Sequence, residues 1–347
     1  MAWPVTGCSP DKAPVFAPVT PESGEPVVAP EKPPVPVQPL YVSPLTGMPA
    51  AEKQEARPVM VVINNAPQAR PQSGLSQADL LFEVLAEGEI TRLIAFFQSK
   101  SSPDPVGPVR SIRPYFISLG KGYGAIQVHA GGSPDGYETI KKQSIENLDE
   151  ITNAGPYFWR EKTRKAPHNL YTSLEQVRQG AAQRRLGEKG PEAPVYTFAA
   201  SKPGDPAKET VAPGSREALK LEVTFLLQSY RVAYAYDQTT GVYERSINGS
   251  PHIDLNNEEP LKAVNVVVMG APHKVLDQEG RREVKLTGSG HALLFQQGAV
   301  RPVEWRRERE ESPIRWYEQG REVQLQPGQT HVMIVPDGPD FEEHVVY

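Results

Sequence analysis

Two arginines flank a predicted helix start in the first half of the chain. Arg110 and Arg113 lie on either side of Ser111, which the pattern predicts to cap a short helix with Pro114 in its first turn. A helix start carries free N–H groups and the positive end of the helix dipole, and guanidinium groups add fork-shaped donors. This combination suits a phosphate or a carboxylate, so these residues are candidates for an anion site.

A second predicted strand-to-helix turn repeats this arrangement. His129 ends a predicted strand, and Gly131, Gly132 and Ser133 lead into a helix at Pro134. The spacing is not Gly-x-Gly-x-x-Gly, and no Gly-Lys-Ser or Gly-Lys-Thr completes a phosphate loop. The turn is therefore either a second part of the anion site or a tight turn that simply requires glycine.

A third basic cluster precedes the next predicted helix and is interleaved with aromatic residues. Arg160 and Arg164 follow Trp159, and His168 and Asn169 come shortly after them. Mixed aromatic and guanidinium side chains are typical of recognition surfaces, although arginine clusters are also common on solvated surfaces. The full set that the sequence predicts to bind a ligand is Arg92, Arg110, Ser111, Arg113, His129, Gly131, Gly132, Ser133, Arg160, Arg164, His168 and Asn169.

Three carboxylates, Asp79, Glu83 and Glu87, lie at four-residue spacing along a helix predicted to begin at Ser76. Such a line is either a solvated helix face or an acid/base pool for catalysis, and Arg92 beyond it is placed to neutralise part of the charge. The sequence contains no Gly-x-Ser-x-Gly nucleophile turn and no His-Glu-x-x-His zinc motif, and its histidines are scattered singly. We therefore predict no metal and no cofactor.

The single cysteine of the chain, Cys8, lies in the run Val-Thr-Gly-Cys. This is the pattern at the cleavage point of a bacterial lipoprotein signal, where the thiol receives a diacylglycerol chain. A working signal also needs a basic start and an apolar core of about 7–15 residues, which residues 1–4 do not supply. Residues 9–40 contain ten prolines and favour an extended spacer. Residues 1–42 are therefore either a lipidation-signal remnant with a Pro-rich, disordered tether, or a tail with an ordinary thiol.

The rest of the chain divides into two halves that differ in their predicted secondary structure. In residues 43–186, strand patterns alternate with helix patterns, which predicts an α/β domain with a mixed sheet. Residues 187–218 are rich in Pro, Gly and Lys and read as a linker. Residues 219–347 predict a β-rich, mostly antiparallel domain, because Gly, Asn and Asp punctuate short apolar runs. The strands predicted there cover residues 224–236, 241–247, 263–269, 283–287, 291–295, 314–317 and 330–335.

Several motifs in fixed order resemble those of the YerB-type family of bacterial lipoproteins. They read RPVMVVINN at residues 57–65, ARPQSGLSQAD at 69–79, EGEITR at 87–92, VGPVRSIRPY at 106–115, VHAGGS at 128–133 and APHNLY at 166–171. The match runs from about residue 43 to the C-terminus. The resemblance implies an N-terminal domain of unknown function, a second C-terminal domain, and a lipoprotein signal at the start. It implies no activity, substrate or cofactor.

Two functions from different classes are open on these grounds. The favoured one is a non-enzymatic protein, held by lipidated Cys8 on the extracytoplasmic face of the cytoplasmic membrane. It would bind or scaffold an anionic envelope ligand, such as a cell-wall polymer, a muropeptide or a polyprenyl phosphate, or an envelope protein. The alternative is an envelope enzyme acting on a glycan or phosphate ester, with Asp79, Glu83 and Glu87 as its acid/base pool. A net charge of −5 argues against a nucleic-acid partner.

Overall fold

The first half of the chain alternates strands with helices. Its strands are β1 (Tyr41–Val42), β2 (Pro49–Ala50), β3 (Val59–Asn64), β4 (Leu80–Leu85), β5 (Thr91–Phe97), β6 (Pro105–Val106), β7 (Ile126–His129), β8 (Asn147–Asp149), β9 (Trp159–Arg160) and β10 (Leu170–Ser173). Its helices are α1 (Pro114–Gly122), α2 (Pro134–Gln143) and α3 (Leu174–Gln183), with 3₁₀ turns at Pro67–Ala69, Leu75–Gln77 and Gly155–Tyr157.

The computed structural model describes residues 1–4, 41–188, 190, 195–200 and 214–347. The Cys8 motif and the predicted tether lie outside the described residues. Within the described part of the chain, no helix combines the length and the apolar character that crossing a bilayer requires.

The second half consists almost entirely of strands. They are β11 (Arg216–Glu217), β12 (Lys220–Thr224), β13 (Arg231–Asp237), β14 (Val242–Ile247), β15 (Ser250–Pro251), β16 (Lys262–Ala263), β17 (Asn265–Ala271), β18 (His273–Val275), β19 (Arg282–Val284), β20 (Gly288–Gln296), β21 (Ala299–Arg307), β22 (Arg315–Glu318), β23 (Arg321–Glu322), β24 (Thr330–Pro336) and β25 (Val345–Val346). A 3₁₀ turn at Phe341–His344 precedes the last strand. The run predicted as one strand at residues 224–236 contains the last residue of β12, a turn and nearly all of β13. The rest of β12 and the whole of β21 were not predicted.

Two of the three helices begin after a serine whose side chain caps them. Ser133 and Ser173 each accept a backbone N–H in the first turn of α2 and α3. The prediction that Ser111 caps α1 is wrong. Its hydroxyl instead donates to the carbonyl of Ala130 at 3.0 Å, and α1 begins at Pro114 without a side-chain cap.

The helix predicted over residues 76–85 is also wrong, because this segment contains strand β4. All six residues of β4 are buried. A continuous apolar run that is buried on both faces fits a central strand. Because almost every position of such a run is apolar, some of its residues also match helical spacing by chance. The one charged residue of β4, Glu83, is paired with Arg245 from the second half of the chain, a contact that local periodicity does not show.

One large mixed sheet contains strands of both halves. Its order is β23-β22-β21-β20-β17-β24-β4-β5-β3-β7-β8, with β11 beside β21. The late strand β24 runs parallel to β17 on one side and to β4 on the other. These observations confirm an α/β first half with a mixed sheet and a β-rich, mostly antiparallel second half.

Apolar side chains cover both faces of the large sheet. Along β3, Met60 and Val62 pack on the side of α1, whereas Val59 and Val61 pack on the side of α3, as the period of two along a strand requires. A smaller sheet, β15-β14-β13-β12-β25, packs against the central strands through a third core. Strands β3, β4 and β7 run in the same direction, so their carboxyl ends meet at one edge of the sheet. This edge is where open α/β sheets place ligands.

Candidate functional site

A pocket of about 570 Å³ opens at this edge of the sheet. It is lined by Asn64, Ala66, Gln68, Glu87, Ile90, Arg92, Arg110, Ser111, Arg113, Gly132, Ser133, Pro134, His168, Glu279 and Arg281. Seven of the residues predicted to bind a ligand are in this lining, together with one of the three candidate carboxylates. The size is within the range of about 300–1,000 Å³ that is usual for small-molecule sites. We call it the arginine pocket.

Two buried arginines of the pocket share one carboxylate. Glu87 Oε2 accepts from Arg92 at 3.1 Å, and Glu87 Oε1 forms an ion pair with Arg113. Burial, together with the nearby charge of Arg110, lowers the pKa of Arg92 to about 10. The Nε atoms of Arg92 and Arg113 are buried and have no hydrogen-bond partner among the described residues. The guanidinium groups are therefore only partly satisfied by the protein.

Arg110 is the least satisfied of these cations. Its Nε is buried without a hydrogen-bond partner, and no carboxylate of the described residues forms a salt bridge with its guanidinium. Burial lowers the pKa of Arg110. The main chain holds this residue in place, because its N–H donates to Val62 and its carbonyl accepts from Ala130. Arg110 is therefore a positioned cation whose own fold provides no counterion.

His168 is held as a neutral ring at the pocket wall. Asn64 Oδ1 accepts from the N–H of Ala66 at 3.0 Å, which orients the Asn64 amide so that its Nδ2 donates to His168 Nδ1 at 2.9 Å. Because Nδ1 accepts, the proton of the neutral ring is on Nε2. Burial lowers the pKa of His168, and the charges of Arg110, Arg92 and Arg164 add to this effect. The ring therefore offers one N–H donor near neutral pH.

The Gly131-Gly132 turn is shaped by residues beneath the pocket. Asp149 accepts from the N–H of Gly131 at 2.8 Å, and Gly131 adopts a φ of +74°, which favours glycine. His129 is fully buried, and its Nδ1 donates to the Gly131 carbonyl at 2.8 Å. Burial lowers the pKa of His129. Gly132 and Ser133 line the pocket, whereas His129 and Gly131 support it from below.

The third predicted basic cluster contributes only His168 to the lining. Arg160 contacts Glu150 at 3.4 Å and the side-chain oxygen of Asn169 at 3.2 Å. Arg164 donates to the carbonyls of Ala69 and Pro71 at 2.6 and 2.5 Å, so it stabilises the chain that follows β3. Neither arginine is in the pocket lining, and neither is Asn169. The structure thus brings Arg110 and Arg113 together and leaves Arg160 and Arg164 outside.

The three candidate carboxylates have separate surroundings. Asp79 accepts from the backbone N–H groups of Gln98 and Ser99 at 2.5 and 2.8 Å. Glu83 is buried against Arg245 at 2.6 Å and also accepts from Tyr230 at 2.6 Å. Only Glu87 lines the pocket. Each of the three carboxylates therefore has different partners, and they do not form one pool.

Sequence reasoning missed several residues of the pocket. Asn64 is the last residue of β3 and Gln68 follows that strand. The carboxyl end of a buried strand is a signal that points to Asn64. Glu279 and Arg281 come from the turn between β18 and β19 in the second half, and no local pattern marks them. This turn reaches the first half through a backbone hydrogen bond from Gly88 to Gly280 at 3.1 Å.

Comparisons with known proteins agree with the fold. Residues 45–187 match the N-terminal domain, and residues 221–332 the C-terminal domain, of DUF3048, a protein of unknown function. YerB of Bacillus subtilis (strain 168), which is named as a candidate lipoprotein, is 37% identical over 298 residues, covering 85% of this chain and 86% of that protein. A crystal structure of YerB from Bacillus subtilis matches with a TM-score of 0.78 and 35% identity, covering 88% of this chain and 99% of that one. YerB is thus similar to this chain in both sequence and fold, and the chain belongs to the DUF3048 family.

Proposed function

We propose that this protein is a membrane-tethered binding protein that holds the anionic group of an envelope ligand in the arginine pocket. The observation that carries the proposal is Arg110, a half-buried guanidinium without a counterion among the described residues. An unpaired charge that is partly removed from water is costly unless a partner compensates it. A bound phosphate or carboxylate would provide that partner.

The charges around the pocket support the same conclusion. The lining has four arginines, Arg92, Arg110, Arg113 and Arg281, and two carboxylates, Glu87 and Glu279. Arg281 also pairs with Asp277 just outside the lining, which leaves one positive charge in excess. The excess is local, since the whole chain carries a net charge of −5. Cations held together in a partly dehydrated pocket repel each other, and an anion converts this repulsion into attraction. The pocket is therefore suited to a ligand with one or two negative charges.

Binding is a better fit than catalysis for this pocket. A general acid or base has to reach the reacting group, and of the three candidate carboxylates only Glu87 lines the pocket. Glu87 is already engaged by Arg92 and Arg113, and such contacts favour its charged, acceptor-only form. The glycan-hydrolysis alternative needs a second carboxylate about 5–10 Å away across the pocket. Asp79 and Glu83 are not in the lining, and the other carboxylate of the lining, Glu279, is an exposed side chain that contacts Arg281 at 3.4 Å.

Attachment to the membrane through lipidated Cys8 completes the proposal. Its support is the Val-Thr-Gly-Cys run and the lipoprotein name of the similar Bacillus subtilis protein. The anionic ligand would then belong to the cell envelope outside the cytoplasmic membrane. Scaffolding of an envelope protein that presents a carboxylate or a phosphate would use the same pocket.

Isothermal titration calorimetry with inorganic phosphate at low ionic strength tests the binding function. We expect the wild-type protein to bind phosphate, and Arg110→Ala to weaken binding by about tenfold or more, because a charge-assisted hydrogen bond is lost. Arg231→Ala removes an exposed arginine outside the pocket and is the matched control. Added salt should weaken the binding. The proposal is wrong if neither phosphate nor acetate binds, or if Arg110→Ala binds as well as the wild type.

Membrane fractionation tests the anchor. The chain is expressed behind a complete lipoprotein signal that ends at Cys8, and the cells are separated into membrane and soluble fractions. We expect the protein in the membrane fraction, because each buried methylene of an acyl chain contributes about 0.8 kcal/mol. Cys8→Ala should move it to the soluble fraction. Full retention of Cys8→Ala on the membrane would contradict anchoring through this thiol.

A further inference from the structure

A second cavity of about 450 Å³ adjoins the arginine pocket. At three places in the chain, two consecutive residues line different cavities: the first residue lines the arginine pocket and the second lines the other cavity. These pairs are Arg113 and Pro114, Pro134 and Asp135, and Arg281 and Arg282. Consecutive Cα atoms are only about 3.8 Å apart, so one ridge separates the two cavities. We call the second cavity the polar groove.

The polar groove differs from the arginine pocket in charge. Its lining has two cations, Arg282 and Lys285, and three carboxylates, Asp135, Glu283 and Glu310. The lining of the arginine pocket has four cations and two carboxylates. Two ion-pair partners lie just outside the linings, Asp277 on Arg281 and Lys121 on Glu310. With these partners included, the pocket keeps one excess positive charge and the groove has none, so an anionic group is favoured in the pocket and not in the groove. One ligand that occupies both must carry its charge at one end.

Uncharged hydrogen-bonding groups are abundant in the groove. Its lining includes Ser118, Thr139, Gln143 and Thr287. The apolar part of the lining is formed by Pro114, Tyr115, Leu276, Val284 and Leu286, and the charged side chains of Arg282, Glu283 and Lys285 interrupt it. A polyprenyl chain would need a continuous apolar surface. A sugar ring, which has hydroxyl groups at its rim and apolar C–H faces, matches this alternation of polar and apolar side chains.

We infer that the ligand is an anionic oligosaccharide, with its phosphate or carboxylate in the arginine pocket and an uncharged sugar in the polar groove. The inference rests on the proposed function, because the pocket has to bind an anion first. Between the two cavities the ligand crosses the ridge formed by the starts of α1 and α2 and by Arg281. The pocket itself provides donors for further hydroxyl groups at the boundary, including His168 Nε2 and the Gln68 amide.

Three matched probes test this inference by calorimetry. They are inorganic phosphate, uncharged N,N′-diacetylchitobiose, and the 1-phosphate of the same disaccharide. We expect the phosphorylated disaccharide to bind about tenfold or more tightly than inorganic phosphate, and the uncharged one to bind weakest. A disaccharide that contains muramic acid, whose anion is a carboxylate, distinguishes the two anion types. Equal affinity for phosphate and the phosphorylated disaccharide would overturn the inference and leave the proposed function intact.

Substitutions in the groove separate the two sites. Thr287→Trp should fill the groove and remove the extra affinity of the phosphorylated disaccharide, while the affinity for inorganic phosphate stays unchanged. Glu283→Ala, a milder change of an exposed side chain, should reduce the extra affinity in part. Gln238→Trp, in an exposed turn elsewhere, is the control for a new tryptophan. If both groove variants retain the full extra affinity, the sugar does not lie in the groove, and if no anionic probe binds to the wild type, the proposed function itself fails.

Discussion

At the scale of residues, Glu87 acts as an internal counterion of the arginine pocket. Its two carboxylate oxygens contact Arg92 and Arg113, and Arg110 is left over. An incoming anion therefore meets one free guanidinium and two that are already neutralised in part. The carboxylate limits the affinity for anions and, in the absence of ligand, lowers the repulsion between the arginines.

Removing the charge of Glu87 should strengthen anion binding. In Glu87→Gln, Arg92 and Arg113 lose their counterion, so the pocket gains one unit of positive charge. We expect the affinity for inorganic phosphate to rise by about 3- to 10-fold, the scale of an ion-pair contribution in a partly exposed site. The melting temperature without ligand should fall. Calorimetry and thermal unfolding measure both effects, and weaker phosphate binding by Glu87→Gln would contradict the role as counterion.

Anion affinity should also depend on the protonation of His168. Burial and the neighbouring arginines lower the pKa of its ring, so His168 is neutral at pH 7. A bound anion favours the protonated ring and raises this pKa, so binding takes up a proton and the affinity increases as the pH falls from about 7 to 5.5. Sulfate is the suitable probe, because its charge is constant in this window. His168→Gln should give a flat profile, and an identical pH dependence in that variant would exclude this ring as the cause.

At the scale of elements, local sequence patterns predict many of the strands and helices, but they do not predict the contacts that β4 makes with the second half of the chain. The turn through Ser133 identified the start of α2 at Pro134, because the signal is local. Helical spacing predicts a helix where β4 lies, and the partner that satisfies its buried carboxylate Glu83, Arg245, is about 160 positions later in the chain. Tyr230, Asn65 and Thr91 also donate hydrogen bonds to Glu83. A local stretch of sequence does not show a buried ion pair of this kind, because its two residues are far apart in the chain.

The Glu83–Arg245 pair should be essential for the stability of the fold. Glu83→Ala leaves the fully buried Arg245 without its carboxylate, and breaking a buried pair on one side costs about 3–5 kcal/mol. Urea unfolding measures the loss. Glu222→Ala, which removes an exposed carboxylate 3.9 Å from Arg231, is the control and should change stability little. A loss below about 1 kcal/mol in Glu83→Ala would show that water or another group replaces the carboxylate.

At the scale of the whole molecule, the two halves are joined by hydrogen bonds within one sheet. Strand β24 comes from the last part of the chain and inserts between β17 and β4. The arginine pocket combines both halves in the same way, because Arg281 and Glu279 complete a lining that otherwise comes from the first half. A predicted helix start identified Arg110 and Arg113 as pocket residues. No local pattern shows that the distant turn with Glu279 and Arg281 completes the lining.

The sheet predicts how the molecule responds to proteolysis. The sequence favours cleavage first within residues 9–40 and then within 187–218, which are rich in Pro and Gly. After cleavage in the second stretch, the two large fragments should remain associated, because β24 is paired on both sides. Size-exclusion chromatography should show both fragments in one peak under native conditions. Separation of the fragments without denaturant would contradict a shared sheet.

The most direct test of the arginine pocket is to locate a bound anion in it. Crystals grown with tungstate, a heavy analogue of phosphate, would show the anion by its anomalous scattering. The account predicts a tungsten peak in contact with the guanidinium of Arg110 and close to Arg92 and Arg113, and no such peak in crystals of Arg110→Ala. An ordered tungsten peak elsewhere on the protein, with the arginine pocket empty, would contradict the account.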